Sequence, residues 1–152
     1  MPKAEKTALM YAVDLLARQE QSSNRLREKL RRKGYGEEEI GAALLRLEEK
    51  GYLNDTDACA RQFRFLYEES RNSVKQICAK LMQRGFDSGL VRDCVPTDTY
   101  ERELGAALRC LSVRFKPGTD PKKMMMNLYG KGFDASVIRN AVERYVDGGP
   151  MA

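Results

Sequence analysis

The 152-residue chain contains no histidine. That absence removes the usual general base near neutral pH, the usual partner of a nucleophilic cysteine and the commonest transition-metal ligand. Cysteine is scarce too: Cys59, Cys78, Cys94 and Cys110 are spaced 19, 16 and 16 residues apart. No two of them have the close pairing of a zinc site, so they read as small core or half-buried thiols in a reducing compartment. No apolar run is long enough to span a membrane, and the start, MPKAEKTALMYA, lacks a secretory core and cleavage pattern. The expectation is a soluble, cytoplasmic, monomeric protein. Phosphate-binding glycine loops are missing as well. Gly118–Thr119–Asp120–Pro121–Lys122–Lys123 has neither the glycine spacing nor the hydroxyl that would hold magnesium. Gly130–Lys131–Gly132 is not a dinucleotide fingerprint. No catalytic residue, metal or cofactor is expected, and the chain reads as a binding protein rather than an enzyme.

What the chain does have is an internal repeat. An apolar residue is followed four places on by leucine, then four on by glycine, then by an aromatic. The instances are Leu26–Leu30–Gly34–Tyr35, Ile77–Leu81–Gly85–Phe86 and Met124–Leu128–Gly132–Phe133. Their glycines lie 51 and 47 residues apart. Apolar residues four apart share a helix face. Glycine then supplies the positive φ that ends the helix, and the aromatic folds back onto the last turn. Gly36, Asp87 and Asp134 stand where they would cap the following helix, whose core continues with Ile40/Leu44, Val91/Val95 and Ile138/Val142. On this reading the three aromatics are scaffold, not base-stacking platforms.

A further amphipathic stretch precedes each signature: Leu9–Tyr11–Val13–Leu15–Leu16, then Cys59–Ala60–Phe63–Phe65–Leu66–Tyr67, then Leu104–Ala107–Leu108–Leu111. Each unit is therefore three helices. Gly51–Tyr52 ends the third helix of repeat one, with Tyr52 placed to close on Leu47. Ser73 with Gln76, and Asp98 with Glu101, read as capping boxes. Pro96 and the stretch 116–121 are loops. No segment alternates long enough for a strand. The predicted fold is all-α: three tandem three-helix repeats over 1–55, 56–97 and 98–152. Each is too small for a core of its own, so the units are expected to stack into an elongated, curved array of unspecified hand.

The net charge of +5 is modest, but it concentrates on the middle helices. From Arg25 to Lys33 there are six basic residues and one acid. From Ser70 to Phe86 there are four basic residues and no acid, and from Lys116 to Lys131 four basic residues against Asp120. The third helix of repeat one is acid-rich, and Glu37, Glu38 and Glu39 complement the dipole at its start. Stacking in register would align the middle helices into a basic stripe able to meet phosphates or acidic side chains. The candidate stripe residues are Arg25, Arg27, Arg31 and Arg32 in repeat one. Arg71, Lys75 and Arg84 follow in repeat two, and Lys122, Lys123 and Lys131 in repeat three.

The string LARQEQSSNRLREKLRRKGYGEEEIGAALLRLEEKGYLND, from Leu16 to Asp55, resembles the first repeat and connector of the RecX regulatory proteins. Arg61 to Arg84 continues the likeness through Phe63, Ser70, Arg71 and the segment KLMQRGF. Two departures stand out: no histidine near Gln21, and Asn54–Asp55–Thr56–Asp57–Ala58–Cys59 after the GYL motif. The loop 115–120 and the run Met124–Met125–Met126 also diverge. The resemblance implies tandem three-helix repeats, binding to the RecA recombinase and its DNA filament, and modulation, usually inhibition, of strand exchange and ATP hydrolysis in DNA repair and the SOS response. It further implies lodging along the groove of the filament.

The alternative is a regulator that binds DNA directly, with three-helix units acting as helix-turn-helix modules. Its natural recognition helix in repeat one begins with three glutamates, which a phosphate backbone repels.

Overall fold

The computed structural model describes residues 6–148. Residues 1–5, part of the amino-terminal stretch read for a secretory signal, and residues 149–152 lie outside the described residues. Among the described residues the chain forms nine α-helices and no strand. They are α1 (Ala8–Arg18), α2 (Ser23–Lys33), α3 (Glu37–Glu49), α4 (Asp55–Glu69), α5 (Val74–Gln83), α6 (Ser88–Cys94), α7 (Tyr100–Arg114), α8 (Pro121–Gly130) and α9 (Ala135–Gly148). None is long and apolar enough to cross a membrane.

Helix ends follow the glycine rule. Gly34, Gly85 and Gly132 have φ of 106°, 98° and 90°. In each case the next N–H donates back to the leucine five residues earlier: Tyr35 to Leu30 O at 3.2 Å, Phe86 to Leu81 O at 3.2 Å, Phe133 to Leu128 O at 3.3 Å. This is the six-to-one bond that satisfies a carbonyl left over at a helix terminus. Gly51, with φ 78°, repeats it through Tyr52 N–H to Leu47 O at 2.9 Å. The Tyr52 ring does not follow its backbone and stays 70% exposed.

The core stripe is as the spacing predicts. Leu26, Leu30, Ile77, Leu81, Met124 and Leu128 are fully buried. The flanking helices differ in detail. In α1 it is Ala8 and Ala12 that vanish from solvent, while Val13 is exposed. Alanines let α1 pack tightly along α3, and larger neighbours such as Leu9 and Leu15 line the sides of that contact. In α4, Phe63 and Leu66 are buried and Phe65 is exposed. The Ser73–Gln76 capping box is present: Gln76 N–H donates to Ser73 Oγ and Ser73 N–H to Gln76 Oε1, each at 3.1 Å. The Asp98–Glu101 box is not. Asp98 Oδ1 accepts from Tyr100 N–H at 3.1 Å and α7 begins at Tyr100, behind Thr99.

Packing divides the chain into two compact units, Met1–Gln62 with Leu81–Val91, and Phe63–Lys80 with Arg92–Ala152. The chain passes from one to the other inside α4, α5 and α6. The first unit is built on α1, α2 and α3 around Leu26, Leu30, Ile40, Leu44 and Leu47. The second is built on α7, α8 and α9, where Leu104, Ala107 and Leu111 meet Met124, Leu128, Val137 and Ala141.

Each unit contains one copy of the same joint. In the first, Ser22 caps α2 by accepting Arg25 N–H at 3.1 Å and donates its own proton to Arg84 O, just past the end of α5, at 2.7 Å. In the second, Ser73 caps α5 and donates to Lys131 O, just past the end of α8, at 2.6 Å. An acid from a neighbouring helix completes each: Ser23 N–H donates to Asp55 at 2.9 Å, and Val74 N–H to Glu103 at 3.1 Å. A hydroxyl can accept and donate at once, which is what both positions require. Asp120 occupies the same register in repeat three and only accepts, from Lys122 N–H at 3.0 Å.

The joint explains why the glycines are not equivalent. A Cβ on Gly34 would meet nothing within 4 Å, whereas one on Gly85 would collide with Ser22 Oγ and sit 3.2 Å from Arg25 N. Gly34→Ala is therefore expected to carry only the left-handed backbone penalty, about 1–2 kcal/mol. Gly85→Ala adds overpacking and should lose about 2–4 kcal/mol in all. Urea unfolding followed by circular dichroism measures both, and equal losses would show that the contact with Ser22 does not matter.

Candidate partner-binding surface

The joint in the first unit is also where part of the predicted stripe resides. Three side chains at the start of α2 satisfy the carbonyls at the end of α5. Arg25 Nη2 donates to Gln83 O at 2.7 Å, Ser22 to Arg84 O, and Asn24 Nδ2 to Gly85 O at 3.0 Å. A cation at a helix C-terminus is favoured by the dipole as well as by the hydrogen bond. Arg84 turns inward, giving Nη1–H to Gln62 Oε1 at 2.8 Å, and Gln62 donates to Glu20 at 2.9 Å. Glu20 in turn pairs with Arg61. Arg25, Lys29 and Arg84 thus line a cleft of about 260 Å³ together with Glu20.

The remaining stripe residues of repeat one are differently engaged. Arg31 pairs with Glu37 at 2.6 Å and Arg32 with Glu28 at 2.5 Å, both in solvent. The hydrogen bond from Arg31 holds the Glu37 carboxyl below the usual range, with Arg27 adding to the field. Exposed pairs of this kind contribute little to stability and exchange readily for another anion. Arg27 is half-buried and has no ion-pair partner among the described residues.

In the second unit the joint changes character. Arg71 stands in the register of Glu20, so the carboxylate of the first joint is replaced by a guanidinium. Arg71, Arg109, Lys131 and Arg102 all bear on the Cys110 thiol, which donates to Arg71 O at 3.3 Å. Burial nevertheless pushes that thiol up, against the pull of those four cations. It is therefore protonated and unreactive at neutral pH. Burial likewise raises Cys78. Arg102 is consumed internally. It donates to the carbonyls of Tyr67, Asn72 and Ser70 at 2.9, 2.5 and 3.1 Å, and pairs with buried Glu103 at 2.6 Å.

Arg71, Lys75, Lys122, Lys123 and Lys131 have no ion-pair partner among the described residues. The stem of Lys75 lies over Gly132, where an added Cβ would be 3.1 Å from Lys75 Cβ. Arg25, Arg27, Arg31, Arg32 and Arg84 thus belong to one unit, and Arg71, Lys75, Lys122, Lys123 and Lys131 to the other. Reading the sequence missed Ser22, Arg61 and Arg109 as joint residues. A signal was available: Ser22 and Ser73 are 51 residues apart, the spacing of Gly34 and Gly85. Among the described residues no group of His, Cys, Asp and Glu side chains is arranged to hold a metal ion.

Comparison with known proteins points one way. Residues 8–47 match the family model described as RecX, first three-helix domain. The chain is 37% identical over 134 residues to a regulatory protein RecX of Thermus thermophilus, covering 88% of this chain and 89% of that one. It is 28% identical over 146 residues to the regulatory protein RecX of Chlorobaculum tepidum, covering 91% and 88%. The fold matches the crystal structure of RecX from Lactobacillus salivarius with a TM-score of 0.78 at 20% identity, over 92% of this chain and 94% of that one.

The lowered Glu20 carboxyl predicts that the ion-pair chain at the first joint loses stability in acid. Burial pushes the Glu20 carboxyl up, but hydrogen bonds from Gln62 and Arg61 and the charge of Arg61 outweigh it and hold the group below the usual carboxylate range. A lowered folded-state pKa stabilises the fold above the unfolded value, and the gain is lost as pH falls through the folded one. Thermal melts between pH 6 and 3 should show a shallower acid-side loss in Glu20→Gln, with the difference developing below about pH 4.5. Parallel profiles for parent and variant would remove Glu20 from the acid response.

Proposed function

We propose, from the premise that this chain belongs to the RecX family of regulatory proteins, that it binds the RecA recombinase and the RecA–DNA filament and restrains strand exchange and ATP hydrolysis. Its work is binding rather than catalysis. The observation that supports this most directly is the set of cations left without an ion pair on and beside the middle helices α5 and α8. Arg71, Lys75, Lys122, Lys123 and Lys131 have no carboxylate partner among the described residues, and Arg31 and Arg32 hold theirs only in solvent. Such groups are available to acidic protomer surfaces or to DNA phosphates in the filament. Arg25 and Arg84 share this role with the joint they hold together.

Reversal of Arg27, Arg31 and Arg32 to glutamate tests the reading. Arg31 and Arg32 hold exposed pairs and Arg27 holds none among the described residues, so helicity should be retained, with a loss of about 1–2 kcal/mol from like charges gathered at the end of α2. Affinity for RecA-coated single-stranded DNA should fall about tenfold or more, equivalent to ~1.4 kcal/mol. Substoichiometric inhibition of the DNA-dependent ATPase should weaken in parallel. Inhibition equal to the parent's would remove the stripe from the interface, and tight binding to one bare duplex sequence without RecA would favour direct DNA regulation instead.

A further inference from the structure

The repeat frame makes one surface anomalous. In repeat one the positions after core residue Leu26 are Arg27, Glu28 and, one turn on, Arg31, all of them charged. The same register in repeat three holds Met125, Met126 and Tyr129. All three are on the outside: Met125 is 38% exposed, Met126 74% and Tyr129 78%. They form one wall of a groove of about 700 Å³ between α8 and α9, floored by Phe133 and Ile138 and closed on the far side by Arg139. Two adjacent methionines and a tyrosine are a large apolar area to leave in water, and thioethers adapt to varied side chains.

The rim defines what fits. Lys122 and Lys123 do not line the groove itself, but both are exposed on α8 and precede Met126 by four and three residues, which places them one turn before it at that end of the groove. Arg139 lines the opposite wall, and Asp134 is the one carboxylate in the lining. An apolar floor with a cationic rim is complementary to an acidic protein segment that inserts large apolar side chains. A second copy of this chain would bring the same cations against themselves. A phosphodiester strand would meet the cations, but would leave the Met125–Met126 wall and the Phe133 floor without apolar partners.

We infer that the α8–α9 groove is a docking site for an acidic protein segment carrying one or two large apolar side chains. Met126 and Tyr129 are its anchors, and Lys122 and Lys123 its charge selectors. The inference shares Lys122 and Lys123 with the proposed RecA-facing surface, but the probe that tests it contains no RecA, so its failure and the failure of that reading are distinguishable.

The test uses the full chain labelled at the methionine methyls. It is titrated with a short synthetic peptide rich in Glu and Asp that carries Leu and Phe four residues apart. A control peptide keeps the Leu and Phe and replaces every acid by lysine. The Met125 and Met126 methyl signals should shift saturably with the acidic peptide and at least about tenfold more weakly with the basic one. Met126→Ser with Tyr129→Ser should weaken the acidic peptide about tenfold, and Lys122→Glu with Lys123→Glu should abolish the preference between the two peptides. An unchanged signal from buried Met124 reports that the variants stay folded. Four results overturn the inference: no shift at Met125 and Met126, equal affinity for both peptides, stronger shifts with an oligothymidine than with the acidic peptide, or shifts that follow protein concentration alone and so report self-association.

Discussion

A hydroxyl that accepts and donates at the same time ties the start of one helix to the end of another in each unit of this protein. Ser22 and Ser73 each cap the helix they begin and bind a carbonyl just past the end of another. Two problems of helix termini are thereby solved against each other, since one end has spare N–H groups and the other spare carbonyls. The glycine beside the accepting carbonyl lets the serine approach, so Gly85 and Gly132 serve a contact as well as a turn. The aligned dipoles favour the arrangement, with the negative end of one helix against the positive end of the next.

That constraint governs the charges as well. In the first unit the cations nearest the joint are drawn into it, as Arg25 is by the α5 carbonyls and Arg84 by Gln62. Those a turn further along remain in water. The exchange of Glu20 for Arg71 between otherwise matching joints leaves the second with a surplus of positive charge. The same scaffold therefore carries a neutralised cluster in one unit and an uncompensated one in the other.

Much of the fold was legible because its signals are local. Leu26, Leu30, Ile77, Leu81, Met124 and Leu128 are buried as four-residue spacing requires. The three glycines take positive φ because no other residue does so without strain. The errors fall where the decision is not local. Val13 and Phe65 look like core in a helical pattern, yet α1 and α4 turn alanines and Phe63 inward instead. The Asp98–Glu101 pair has the right residues for a capping box, but the backbone turns so that Tyr100 begins the helix. The charge stripe was legible as composition and not as availability. Nothing in the spacing of Arg25 or Arg84 distinguishes them from Arg27 or Lys75.

Local sequence alone was enough for the helix positions, the glycine-terminated helix ends, the repeat and the resemblance to the RecX family. All of these depend on residues within a turn or two of each other, or on patterns preserved along the chain. Only the tertiary structure decided which serine meets which carbonyl, which cations are occupied by protein oxygens, and which apolar side chains face water. Those outcomes depend on contacts between residues some 60 positions apart, such as Ser22 with Arg84 and Ser73 with Lys131. A local pattern can propose a hydrogen-bond donor, but only the folded chain supplies its acceptor.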